Sequence, residues 1–175
     1  MNERSLRRSF FVWYSYAMGY SQKYTLVHFF TPLQDEVEFH MTDWPPHITL
    51  ADAFAIDRDE TSIDLKLSAL ASRVQAVKVV AVADSLLGTT PVVLLEKTAQ
   101  LQRLHDSIVS LLEQNETVFN NPEFTKDGFL PHSTIQNSGH LQIGDAINID
   151  SISLIDMFPN EDWRQRKALA TFNFK

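Results

Sequence analysis

A four-residue signature occurs twice in this chain of 175 residues: Pro46-His47-Ile48-Thr49 and Pro131-His132-Ser133-Thr134, with the histidines 85 positions apart. The chain holds only 7 Pro and 6 His. Chance therefore supplies one such tetrad roughly 0.02 times and two roughly 10⁻⁴ times. Each tetrad has a β-strand reading. Side chains alternate faces along a strand, so His47 and Thr49 point one way while Ile48 and Leu50 point the other. His132 and Thr134 share a face in the same manner, with Ile135 opposite and Ser133 a polar exception. The elements around the tetrads repeat as well, so the halves read as copies of one unit. Equivalent strands would then face each other across a pseudo-twofold axis, bringing two imidazoles and two hydroxyls to one groove.

The rest of the chain supports a mixed fold. Tyr24 to Phe30 reads as a strand, rich in β-branched and aromatic residues, and Pro32 stops it. Gln34 to His40 reads as a short helix, and acidic Asp52 to Glu60 as an exposed loop. Thr61 or Ser62 caps a helix with Ile63, Leu67, Leu70 and Val74 on one face. Strands over Val77–Ala83 and Pro91–Glu96 flank a turn at Leu87-Gly88-Thr89-Thr90. Thr98 caps a second helix with Leu101, Leu104, Ile108, Leu111 and Leu112 inward. Strands over Ile147–Met157 and Lys167–Phe174, joined by a turn at Pro159–Asp162, close the chain. Residues 1–23 read as an N-terminal extension and 24–175 as a single bilobal domain. In the extension, Arg4, Arg7 and Arg8 precede Phe10-Phe11-Val12-Trp13-Tyr14. Polar residues break the apolar run at once, which favours an amphipathic extension over an export signal. No stretch reaches the ~20 apolar residues of a membrane span.

Charge and cysteine content narrow the chemistry. The formal net charge of −7 argues against tracking long duplexes, which takes a basic surface to displace phosphate counterions. A small phosphate pocket remains compatible with it. Cys is absent, which excludes thiol catalysis and Cys-bound zinc. Two His–Thr pairs suit phosphoryl chemistry. A neutral imidazole takes a proton from water or a ribose hydroxyl, and a protonated one gives a proton to the departing oxygen. Both forms exist near neutrality because the unperturbed pKa is about 6.5. Threonine hydroxyls donate to non-bridging phosphate oxygens as charge develops there.

On His47-Ile48-Thr49-Leu50 and His132-Ser133-Thr134-Ile135, the chain resembles the two-histidine (2H) phosphoesterases, which include 2′-5′ RNA ligase-like proteins and cyclic nucleotide phosphodiesterases. The resemblance covers roughly residues 24 to 174. It implies an α+β fold of two pseudo-symmetric lobes, with antiparallel sheets lining a central cleft and helices packed outside. It implies metal-independent, cofactor-free hydrolysis of 2′,3′-cyclic phosphates of nucleotides or RNA ends, with reversible 2′-5′ ligation as a side activity. His47, Thr49, His132 and Thr134 carry over as the catalytic set. Some relatives place an Arg just past a tetrad, whereas Ala51-Asp52 and Gln136-Asn137 stand there in this chain. The partner expected is a nucleotide or an RNA terminus bearing a cyclic phosphate, for a monomeric cytoplasmic protein. A non-catalytic nucleotide- or RNA-end-binding module using the same cleft is the alternative. A zinc site of His47, His132 and Asp52 is a weaker one, because two histidines without metal-ligand spacing are poor evidence for a metal.

Four further residues are candidates for substrate contact. Gln136 has the strand parity of His132 and Thr134. Phe30 alternates with His28 on the first strand, and either that face or the Val27/Phe29 face is open to the cleft. Trp44 and Phe54 flank the first tetrad, where an aromatic ring can stack a base. Each also has a plain packing role available to it. His105 lies beside the apolar stripe of its helix and reads as structural or partly exposed.

Overall fold

The computed structural model describes residues 22–175. The amphipathic reading of the N-terminal extension therefore lies outside the described residues. Two antiparallel sheets carry the fold. The larger is built from β1 (Lys23–Phe29), β2 (Glu38–His40), β3 (His47–Ala55), β6 (Val118–Phe119), β9 (Ser151–Asp156) and β10 (Gln165–Asn173), in the order β2-β10-β9-β1-β3-β6. The smaller contains β4 (Val77–Leu87), β5 (Thr90–Leu95), β7 (His132–Thr134) and β8 (Ala146–Ile149), in the order β7-β5-β4-β8. The main helices are α2 (Ile63–Ala71) and α3 (Ala99–Glu113), with α1 (Arg58–Thr61) a single turn before them.

One core joins these layers. Leu26, Ile48 and Leu50 of the large sheet meet Val79 and Val93 of the small sheet, together with Leu67 of α2 and Ile108 and Leu112 of α3. Burying each such aliphatic side chain stabilises the fold by about 1.5–3 kcal/mol. Of the stripe predicted on α3, Leu101, Leu104, Ile108 and Leu112 are buried, and Leu111 is only partly buried against the core. Its start follows from the cap, since the Thr98 hydroxyl accepts from the Leu101 N–H at 3.1 Å. Thr98→Ala is expected to lower unfolding stability by about 1 kcal/mol in urea titration, with the slope unchanged.

Several local expectations are corrected. Gln34–His40 is not a helix: Glu36 has a φ of 67°, and Glu38–His40 forms edge strand β2, paired with Lys167, Arg166 and Gln165 of β10. Asp52–Glu60 is not an open loop. Strand β3 continues to Ala55, burying Phe54 and Ala55, and Ile56 just past it is buried too, while Asp52 pairs with Asn121 and Asp57 caps α1. Acidic residues hid a strand whose alternate members are apolar. The Ile147–Met157 strand is broken at Asp150 into β8 and β9, which belong to different sheets. Helix α2 ends at Ala71, short of Val74, and Ser62 precedes it without a side-chain cap bond. No helix among the described residues is long and apolar enough to cross a membrane.

Candidate active site

The two tetrads occupy equivalent places in the two sheets. In the large sheet β3 pairs with β1, so that His47 lies opposite Phe29 and Thr49 opposite Val27. In the small sheet β7 pairs with β5, so that His132 lies opposite Leu94 and Thr134 opposite Val92. The prolines obey the same symmetry. The Pro46 carbonyl accepts from Phe30 N–H at 3.1 Å, and the Pro131 carbonyl from Leu95 N–H at 3.0 Å. Strands β3 and β7 share no ladder, yet they approach within 8 Å between Cα atoms.

The imidazoles are held alike. His47 Nδ1 lies 2.7 Å from the Pro45 carbonyl, and His132 Nδ1 lies 2.8 Å from the Leu130 carbonyl. A carbonyl only accepts, so each Nδ1 carries the proton and each Nε2 is left for other work. This bond explains the proline of the motif. Pro46 and Pro131 hold the residue before them in extended geometry, which aims its carbonyl at the next imidazole but one. Both histidines and both threonines are partly exposed, whereas Ile48 and Ser133 between them are buried, as the alternation requires. Ser133 Oγ is buried without a hydrogen-bond partner, on the core face.

The surroundings of the two imidazoles differ. The Trp44 ring lies 4.6 Å from that of His47, and the Phe29 ring stands edge-on to it at 5.8 Å. Burial against these rings pushes the His47 pKa down to about 4; the Pro45 carbonyl opposes the shift and the charge of His132 adds to it. Phe29, Val27, Ile155 and Ala168 form a second apolar cluster on this face, covered by Leu33, Phe39, Trp44 and Met157. Across the cleft, Ser138 Oγ donates to the Trp44 carbonyl at 2.8 Å. That bond ties the turn after β7 to the strand entry before His47.

The structure thus brings together His47, Thr49, His132 and Thr134, with Trp44 beside them. Gln136 opens the turn just past β7, exchanging backbone hydrogen bonds with Gly139 at 3.2 and 3.3 Å. Phe54 and Phe30 require correction. Phe54 is fully buried against Tyr24 and Phe119, which leaves no ring face for a base. Phe30 packs against the main core, and its ring neighbours His28 rather than His47. It is Phe29 that abuts the site, on the face that strand parity gave to Val27 and Phe29. Sequence reading also passed over the carbonyls of Pro45 and Leu130; the prolines of the motif were the available signal. Asp52 accepts from Asn121 Nδ2 at 2.5 Å, and among the described residues no three His, Asp or Glu side chains cluster as a metal site would.

A bilobal α+β fold with two equivalent His–Thr pairs facing one cleft defines the two-histidine class of phosphoesterases. Residues 26–151 match the model of the 2′-5′ RNA ligase superfamily, and the chain belongs to that family. Among solved structures, a phosphoesterase aligns at a TM-score of 0.56 with 14% identity, over 88% of this chain and 98% of the other. LigT of E. coli complexed with 3′-AMP aligns at 0.57, with the same identity and coverage. LigT complexed with NADP+ aligns at 0.53, again at 14% identity with 88% and 98% covered. No curated protein matches in sequence.

Proposed function

We propose that the chain is a metal-independent phosphodiesterase that opens 2′,3′-cyclic phosphates of nucleotides or RNA ends. The observation carrying this reading is the duplicated imidazole clamp, with Nδ1 bound to a backbone carbonyl in both lobes and both Nε2 atoms left for the substrate. The lowered pKa of His47 favours it as the base, because it stays neutral near neutrality. Its Nε2 takes a proton from water, and the water oxygen bonds to phosphorus. The bond from phosphorus to one ribose oxygen breaks, and Nε2–H of His132 gives that oxygen its proton. A monophosphate results, and the next cycle begins when the proton on His47 is exchanged to His132 through solvent. Thr49 and Thr134 donate to the non-bridging oxygens.

A small substrate fits the chain's negative charge, since one gripped phosphate needs no basic surface. The nucleotides bound by LigT are of that size. The test is incubation with a 2′,3′-cyclic nucleotide in excess EDTA, with product separated by chromatography. Monophosphate should form at the same rate with and without the chelator. Saturable binding without product would make the chain a binding module, and loss of turnover in EDTA would make it a metal hydrolase.

A further inference from the structure

His105 on α3 takes no part in the chemistry above, yet it touches the supports of both tetrads. It is 2% exposed. Its Nδ1–H donates to the Leu50 carbonyl at 2.7 Å, and Leu50 directly follows Thr49 in β3. Its Nε2 accepts from the Lys126 N–H at 3.0 Å. Its ring stacks on Phe129, with centroids 4.0 Å and planes 4° apart. Lys126 to Phe129 is the segment leading into Leu130, whose carbonyl holds the His132 imidazole. One ring thus binds the first tetrad's strand through one nitrogen and the second tetrad's lead-in through the other.

That lead-in is tightly built. Lys126 has a φ of 52°, a left-handed conformation that a non-glycine residue keeps only when its surroundings hold it there. A side chain at Gly128 would sit 1.9 Å from the Glu123 carbonyl oxygen, so only glycine fits. Gln102 of the same helix donates to the Lys126 carbonyl at 3.0 Å. Only a neutral imidazole with its proton on Nδ1 serves both of the His105 bonds. Burial lowers the pKa of His105, which favours that form.

We propose that His105 is a positioning residue that fixes β3 against the Lys126–Phe129 segment and thereby sets the separation of the His47 and His132 imidazoles. The proposal rests on the two-histidine reading of the reaction. Two acid–base groups must stand on opposite sides of one phosphorus, where a displacement of about 1 Å can cost up to ~10²-fold in rate. A core leucine would fill the same volume but would link neither tetrad.

The test compares the native chain with His105→Phe, which keeps the stack and loses both bonds, and with His105→Asn, whose Nδ2 can donate where Nδ1 did. His105→Phe should fold cooperatively and lose kcat on 2′,3′-cyclic nucleotide roughly tenfold, with KM changed less than about threefold. His105→Asn should recover part of that loss. A second readout needs no turnover: NMR titration of His47. In the native chain charge on His132 disfavours charge on His47, and this influence on His47 should change in His105→Phe. Native kcat together with a native titration in folded His105→Phe overturns the proposal. Absence of turnover in the native chain instead overturns the functional reading, and the titration still decides the role of His105. If His105→Phe does not fold, His105→Gln carries both readouts, and native values in both overturn the proposal.

Discussion

His47→Ala and His132→Ala should each lower turnover of a 2′,3′-cyclic nucleotide by ~10²–10⁴-fold, the usual worth of a positioned general acid or base. The fold should survive either change. Both side chains are partly exposed, and buried neighbours such as Ile48, Leu50 and Phe129 carry the packing. Each substitution removes one hydrogen bond to a carbonyl, worth about 0.5–1.5 kcal/mol. The double variant should be little worse than the poorer single one, because the proposed mechanism has the two groups act in one proton-transfer sequence. The measurement is kcat for the three variants beside thermal unfolding. Near-native turnover in either single variant would remove the two-histidine mechanism, whatever the other does.

Much of this site is legible from one strand rule. Alternation along His47-Ile48-Thr49-Leu50 separates the candidate site residues from the core, and the structure keeps that separation. The same rule, carried on to Phe54, puts that ring with Ile48 and Leu50 on the buried face. The acidic residues from Asp52 onward concealed this, because a carboxylate satisfied by Asn121 looks from sequence like one exposed to water. Phe30 failed for a different reason. Parity assigns faces within a strand but not which face meets the second lobe, and the long-range pairing of β1 with β3 and β9 settles that. The bonds of His105 to Leu50 and Lys126 were beyond reach in the same way, since they join residues 55 and 21 positions apart. The Pro45 and Leu130 carbonyls were closer to hand. A proline repeated before each histidine has a local cause, which is its hold on the residue preceding it.

The acid limb of kcat/KM should fall near pH 4 rather than near 6.5, because kcat/KM reports the free enzyme and burial holds His47 at about 4 there. A base with the ordinary pKa of about 6.5 would be only ~3% neutral at pH 5, whereas His47 would be ~90% neutral, a difference of about 30-fold. A 2′,3′-cyclic uridine nucleotide does not blur the comparison, since its phosphodiester stays an anion and its base stays neutral throughout this range. Once bound, its charge replaces solvent beside the ring and favours proton uptake, so the limb of kcat should lie higher than that of kcat/KM. Folding stability moves in the same direction as activity. The native pKa lies below the unfolded one, so the unfolded chain binds more protons as pH falls through this window, and the contribution of His47 to stability is lost. Circular dichroism at each pH separates that loss from titration of the base. The cause of the shift can be tested through Trp44, whose ring lies 4.6 Å from the imidazole. Trp44→Ala should admit water to His47 and move the acid limb upward, toward 6.5. A native limb at or above 6.5 would take the role of base away from His47, and a limb that Trp44→Ala leaves in place would take the cause of the shift away from Trp44.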